Sequence, residues 1–215
     1  MSEAPDQSTT EPKKHKSEEV GPHRDGVIIL ATDPSRSHLR YALPIPKYVE
    51  AITNVDAVPN LGLFLDSLKW FQPLALNWMK SLPSVSRIAF GVELLWQVDN
   101  REEGYKLLDK LLPVVEVDPA SQDLEYRINR PRVLKIENET LVANRVSTWA
   151  VKRFELEQSH GSLGTVNRGF YAVHAELDIN TAADRKAALP QGQLKELLGT
   201  LFDFAVEMAE QGDVP

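Results

Sequence analysis

Ile88-Ala89-Phe90-Gly91-Val92-Glu93-Leu94-Leu95-Trp96-Gln97-Val98 is the stretch that decides the class of fold. Ile88, Phe90, Val92, Leu94, Trp96 and Val98 fall on one side of an extended chain, and Ala89, Gly91, Glu93, Leu95 and Gln97 on the other. A period of two belongs to a strand with one buried face. Asn100 follows, with Glu103 three residues on, the spacing of a capping box. A helix is therefore expected from Arg101 to about Leu112, packing Tyr105, Leu108, Leu111 and Leu112, with Pro113 as its stop.

Downstream the chain is rich in strands. Leu124, Tyr126 and Ile128 alternate with Glu125, Arg127 and Asn129. Val133 to Ile136 and Leu141 to Val142 flank a polar turn at 137–140, and 144–157 reads as a long strand whose apolar phase slips at Trp149-Ala150-Val151. Such a slip predicts a β-bulge. Tyr171, Val173, Ala175, Leu177 and Ile179 line one face of a further strand, and Leu194, Leu197, Leu198, Leu201, Ala205 and Met208 form a helical stripe. Strands that follow one another directly predict an antiparallel sheet. The class expected is α+β, with five to six strands and two to three helices packed on one face.

Upstream, Leu61, Phe64, Leu68, Phe71, Ala75, Trp78 and Leu82 keep a helical spacing behind the candidate cap Asn60. Pro73 interrupts it, giving either one kinked helix or two short elements. Residues 33–59 hold Pro34, Pro44, Pro46 and Pro59, which predicts an extended connection with a helical turn near Lys47-Tyr48-Val49-Glu50. Val27-Ile28-Ile29-Leu30 is a short strand ending at the turn signal Asp33-Pro34. Residues 1–26 have six acids, four bases, three prolines and only Met1, Ala4 and Val20 as aliphatic or sulfur side chains. That segment alone buries too little to offset its ordering entropy, so a disordered tail is expected over 1–26 and a single domain over 27–212.

With 42% apolar and 26% charged residues, the 215-residue chain has an ordinary globular composition. There is no cysteine, which removes disulfides, thiolate metal sites and cysteine nucleophiles. No apolar run approaches a membrane span, and residues 1–26 lack the apolar core of a secretory signal. The expectation is a cytoplasmic protein without cofactors.

Two constellations could carry function. Arg127 to Arg153 holds Arg127, Arg130, Arg132, Lys135, Arg145, Lys152 and Arg153 against Glu137 and Glu139, a formal charge of +5 in a chain of net −7. Guanidinium forks match carboxylate and phosphate, so Arg127, Arg132, Arg145, Lys152 and Arg153 are candidates for binding a partner or an anion. The alternative is pairing with acids on adjacent strands. Neutralising six phosphates would give a salt slope of about −5 on duplex DNA. Arg130 is different: it falls in phase with the apolar Leu124, Tyr126 and Ile128, so it needs a buried partner and is expected to be structural. Arg132 is expected to be accessible, and Pro131 between them marks an edge or a strand end. His174, Glu176 and Asp178 share the polar side of their strand, a weak metal or acid–base candidate beside the alternative of a solvated face. No nucleophile elbow or phosphate loop is present.

Arg87-Ile88-Ala89-Phe90-Gly91, Tyr126-Arg127-Ile128-Asn129-Arg130-Pro131-Arg132 and Leu177-Asp178-Ile179-Asn180 before a last amphipathic helix together resemble a sporadically distributed bacterial family of unknown function, over about residues 85–210. The resemblance carries no catalytic residues. Sporadic distribution implies horizontal transfer, and with it defence or toxin–antitoxin loci. The leading expectation is a non-catalytic interaction protein with a protein partner or a second copy of itself. A nucleic-acid- or nucleotide-binding module is the second expectation, and a metal-assisted enzyme on the His174 face is the third.

Overall fold

The computed structural model describes residues 7–11, 16–43, 60–82, 85–136, 139–159, 165–182, 185 and 187–215. The chain divides into two compact units: residues 1–67 with 157–166, and residues 68–156 with 167–215.

The first unit contains an antiparallel meander of four strands in sequence order: β1 (Gln7–Glu11), β2 (Lys16–His23), β3 (Gly26–Asp33) and β4 (Arg36–Ala42). β1 and β2 lie inside the segment expected to be a disordered tail. The neighbouring β3 is apolar on both sides, Val27 and Ile29 on one and Ile28 and Leu30 on the other. Val20 of β2 lies opposite Ile29, and the ladder runs from Ser17↔Thr32 to His23↔Gly26. A polar segment that cannot build a core can still extend a sheet, because the ladder bonds are backbone bonds.

The expected turn at Asp33-Pro34 joins β3 to β4. The Asp33 carboxylate accepts from Ser35 N at 2.8 Å, Ser35 Oγ at 2.7 Å and Arg36 N at 3.0 Å. These bonds, those from Ser35 foremost, hold its pKa far below the usual carboxylate range. The helical turn expected at 47–50 lies outside the described residues.

Helix α1 (Phe64–Met79) answers the question posed by Pro73: one helix runs through it. Asn60 does not cap this helix; its Oδ1 accepts from Gly62 N at 2.8 Å, a side-chain turn before a glycine at φ +90°. Glycine suits that left-handed position, and the turn delays the helix to Phe64.

The second unit's sheet is built from β5 (Ala89–Val98), β6 (Glu125–Asn129), β7 (Arg132–Ile136), β8 (Glu139–Ser159) and β9 (Thr165–Thr181). The order is β5-β9-β8-β6, with β7 also on β8, and the printed pairings are antiparallel. This is the α+β class expected. Helix α2 (Arg101–Leu111) has the expected cap: Asn100 Oδ1 accepts from Glu103 N at 3.0 Å. Helix α3 (Leu194–Gln211) follows a 3-10 turn at Gln191–Gln193.

β6 and β7 keep one register against β8. Glu125↔Ala150 runs to Asn129↔Val146, and Arg132↔Ala143 continues the same count to Ile136↔Glu139. Between them Arg130 N donates to Arg145 O at 3.1 Å. Pro131, which has no N–H, interrupts an edge strand without shifting it. The expected bulge at 149–151 is absent from this pairing, which stays in step through Tyr126↔Trp149 and Glu125↔Ala150. Trp149 and Ala150 are both buried, so the change of apolar phase reflects cover on both faces of the strand at that level.

Helices α2 and α3 pack on one face of this sheet. Phe90 of β5 meets Phe202 of α3 edge-on at 4.6 Å between ring centres. Gly104 of α2 lies against Val98 and Val151, where an added Cβ would fall 2.7 Å from a Val151 methyl. Leu194, Leu197, Leu198, Leu201, Ala205 and Met208 of the expected stripe are buried, as are Phe202 of the same helix and Val173, Ala175, Leu177 and Ile179 of β9. Each large side chain so buried contributes roughly 1.5–3 kcal/mol. No helix among the described residues is long and apolar enough to cross a membrane.

Candidate functional site

The continuous register of β6, β7 and β8 places Tyr126, Ile128, Arg130 and Arg132 on the helix-facing side, beside Trp149, Ser147, Arg145 and Ala143. Arg130 and Arg145 therefore stand opposite one another on a face otherwise given to the core. Like charges in opposed positions destabilise a sheet unless carboxylates intervene. The end of α3 supplies them. Arg130 Nε donates to Asp213 Oδ1 at 2.7 Å and its Nη2 to Oδ2 at 2.8 Å, and Asp213 is 1% exposed. Tyr126 Oη donates to Asp213 Oδ2 at 3.3 Å. Burial, and then the Asp213 charge, push the Tyr126 phenol pKa up.

Arg132 makes the second fork, with Nη1 to Glu207 Oε2 at 2.6 Å and Nη2 to Oε1 at 2.8 Å. Its Nη2 also donates to Pro215 O at 2.9 Å. The Arg132 hydrogen bonds hold the Glu207 pKa down against its partial burial. Arg132, expected to be free for a partner, is thus engaged internally. Because Pro131 leaves the register intact, Arg132 is two residues from Arg130 and points to the same face.

Arg145 also departs from its expected role on the surface. It is 1% exposed. Its nearest carboxylate oxygen is Glu207 Oε2 at 3.8 Å, beyond hydrogen-bond length, and its guanidinium lies over the Phe204 ring at 5.4 Å. Nε, Nη1 and Nη2 are all buried without a hydrogen-bond partner. Burial lowers its pKa, with the Arg132 charge acting in the same direction. Two further buried groups on the same face of β8, Ser147 Oγ and Trp149 Nε1, also lack partners. Trp149 stacks on Trp96 at 6.1 Å.

The other candidates lie elsewhere. Arg127, Lys135 and Lys152 are exposed on the opposite face of the sheet and have no ion pair among the described residues. Arg153, near the far end of β8, pairs with Glu155 at 3.2 Å and lies 6.0 Å from the Tyr171 ring centre. The basic segment is therefore split: Arg130, Arg132 and Arg145 converge under α3, and the rest do not.

His174, Glu176 and Asp178 share the face of Arg127. Glu176 and Asp178 are exposed, but His174 is only 6% exposed, so the solvated-face reading fails for the imidazole. Its Nε2 lies 3.7 Å from Glu93 Oε2 and its Nδ1 has no partner. Burial, and then Lys152, push its pKa below the ordinary 6.5. Asp178 instead accepts from Asn180 Nδ2 at 3.0 Å, Asn180 from Asn144 at 3.1 Å, and Asn144 from Asn129 at 3.0 Å. These amides cross-link three neighbouring strands. Among the described residues no group of three or more His, Asp or Glu is placed to hold a metal ion.

Glu207, Asp213, Phe204 and the amide row escaped the sequence reading. Phe204 and Glu207 stand three apart on one side of a predicted helix, a signal that does not say which strand they face. Comparison with protein-family models, curated proteins and solved structures finds no match to this chain.

Proposed function

We propose that the chain is a non-catalytic interaction protein of the bacterial cytoplasm that binds its partner through the β7–β8 end of the second unit. A subunit of a defence complex, or the neutralising half of a toxin–antitoxin pair, fits this role. The observation that carries the reading is the pair Val133 and Val142. They lie directly opposite each other on the face away from α2 and α3, 64% and 40% exposed. Lys135 and Arg127 flank them on the same face, without ion pairs among the described residues. An apolar pair with a cationic rim on an edge strand suits a protein surface with apolar side chains inside an acidic rim.

Co-purification from native cells tests this. The expected result is capture of a protein that Val133→Asp no longer retains and that higher salt weakens, with the variant's unfolding midpoint unchanged. A wild-type monomer that captures nothing at moderate salt overturns the reading. So does capture equal in both proteins, or a second copy of this chain as the bound species.

The second reading is nucleic-acid binding, favoured by the exposure of Arg127, Lys135 and Lys152 on one face. With Arg130 and Arg132 paired and Arg145 buried under α3, the exposed Arg127, Lys135 and Lys152 would give a salt slope of about −3 on duplex DNA. Binding that is absent at low salt excludes it.

A further inference from the structure

We propose that the second unit pairs with a second copy of this chain along the outer edge of β5, joining the two sheets into one. The first observation is an open ladder. Among the described residues β5 pairs with β9 alone. The register carries back to Ile88 opposite Thr181, where Thr181 N donates to Ile88 O at 3.0 Å. In an antiparallel ladder such a pair turns its main-chain groups toward each other, and the next residue turns them away. Ile88, Phe90, Val92 and Leu94 therefore bond toward β9, and Ala89, Gly91, Glu93 and Leu95 aim their N–H and C=O groups at the edge. Gly91 is exposed, and without a side chain that exposure belongs to the main chain. Among the described residues an added Cβ there would meet only Leu177 O, at 3.6 Å.

The second observation is the contrast between the two edges of the sheet. At the other edge Arg130 N donates to Arg145 O, so the same count aims the main chain of Arg127, Pro131, Val133 and Lys135 outward. A proline, which has no N–H to offer, and cations along an edge are means by which a sheet refuses a further strand. β5 has no proline and a single charged residue, Glu93. It is an edge without those guards, and main-chain pairing with another strand satisfies its outward groups.

The third observation is self-complementarity, and it selects the occupant. A two-fold contact sets the same surface against itself. With the axis at Phe90, Glu93 lies directly opposite Arg87 of the second copy, twice over, and both residues are exposed. Ala89 then faces Gly91, Ile88 faces Val92 and Phe90 faces Phe90, so the apolar row on the helix-facing side continues from one copy into the next. An axis at Gly91 leaves the charge pair only diagonal. An axis at Val92, Glu93 or Leu94 brings the two Glu93 carboxylates opposite or diagonal to each other, which is destabilising. Upstream, Val85 O accepts from Leu189 N at 2.7 Å, so the open stretch begins after Val85 and the pairing runs over 87–93.

Sedimentation equilibrium of the full chain tests this. The wild type is expected to form a dimer. Gly91→Pro removes an N–H that β9 does not use, as Pro131 does on the other edge, and should weaken the dimer at least about tenfold. Glu93→Arg meets Arg87 with a like charge and should weaken it about tenfold, and adding Arg87→Glu should restore it. Val133→Asp, on the opposite edge, should leave it unchanged. A second copy held at β5 is thereby told apart from a partner held at Val133 and Val142.

Trp70, Trp78, Trp96 and Trp149 all belong to the second unit, so their fluorescence in urea shows whether each variant is folded. If Gly91→Pro fails to fold, the exposed pair Arg87 and Glu93 carries the test. A wild-type chain that stays monomeric up to about 0.1 mM overturns the proposal. So does a dimer that a folded Gly91→Pro or Glu93→Arg leaves intact, a loss that Arg87→Glu does not reverse, or a dimer that Val133→Asp dissociates.

Discussion

At the scale of single residues, strand phase divides three arginines within six positions: Arg130 and Arg132 turn inward to carboxylates and Arg127 turns outward. Arg130→Ala should be the most damaging change, because it strands the buried Asp213 carboxylate without its two-bond partner. A loss of about 3–5 kcal/mol is expected on breaking such a pair, read as a lower midpoint in denaturant. Arg127→Ala should stay within about 0.5 kcal/mol, because the side chain is exposed and unpaired among the described residues. Arg132→Ala falls between, at about 1 kcal/mol, for a fork that is partly open to solvent. The role of Arg130 was legible because its phase with Tyr126 and Ile128 can be counted along one strand. Arg132 was expected to be accessible, but Pro131, which the sequence left as an edge or a strand end, sits on an edge whose register it does not shift, so Arg132 shares the face of Arg130. Arg145 was out of reach of the sequence for another reason. Its surroundings, Phe204 and Glu207, lie about sixty residues away on a helix whose docking angle no local pattern encodes.

At the scale of elements, signals that act within a few residues were legible and those that act across strands were not. The cap at Asn100 is a contact over three residues, and α2 begins where that contact puts it. Asn100→Ala should cost about 1 kcal/mol, measured as a shift in the unfolding midpoint. Composition describes a segment alone, while β2 pairs along its length with the apolar β3 beside it. The end of α3 shows a further dependence across elements. Gly212 has φ +76°, and a Cβ there would lie 2.1 Å from Leu111 O at the end of α2. Asp213 N donates to that same oxygen at 2.8 Å, so Gly212 brings Asp213 to both α2 and Arg130. Gly212→Ala should therefore destabilise the second unit by more than the roughly 1 kcal/mol of an ordinary glycine replacement. Equal midpoints for wild type and variant would show that the α2–α3 junction yields without loss.

At the scale of the whole molecule, two units of different composition share one chain, and the tryptophans report on only one of them. That separation makes the acid side of the stability curve readable. Two groups in the second unit whose ordinary pKa lies below 7, Glu207 and His174, have that pKa lowered in the folded state. Glu207 has its pKa lowered from 4.5, first by the Arg132 hydrogen bonds, so the folded state binds its proton less readily than the unfolded chain. Its contribution is complete above about pH 4.5 and is lost as pH falls through the folded value. His174 has its pKa lowered from 6.5, first by burial, and the same sign applies. Its contribution is complete above about pH 6.5 and declines as pH falls toward the folded value, where a cation must form on a buried ring. The stability of the second unit should therefore climb with pH in two steps, one below 4.5 and one below 6.5, and level off above 6.5. Urea unfolding followed by tryptophan fluorescence at a series of pH values measures this. His174→Gln should flatten the upper step and leave the lower one, and Glu207→Gln should do the reverse. An upper step that survives His174→Gln would place the titrating group elsewhere in the second unit.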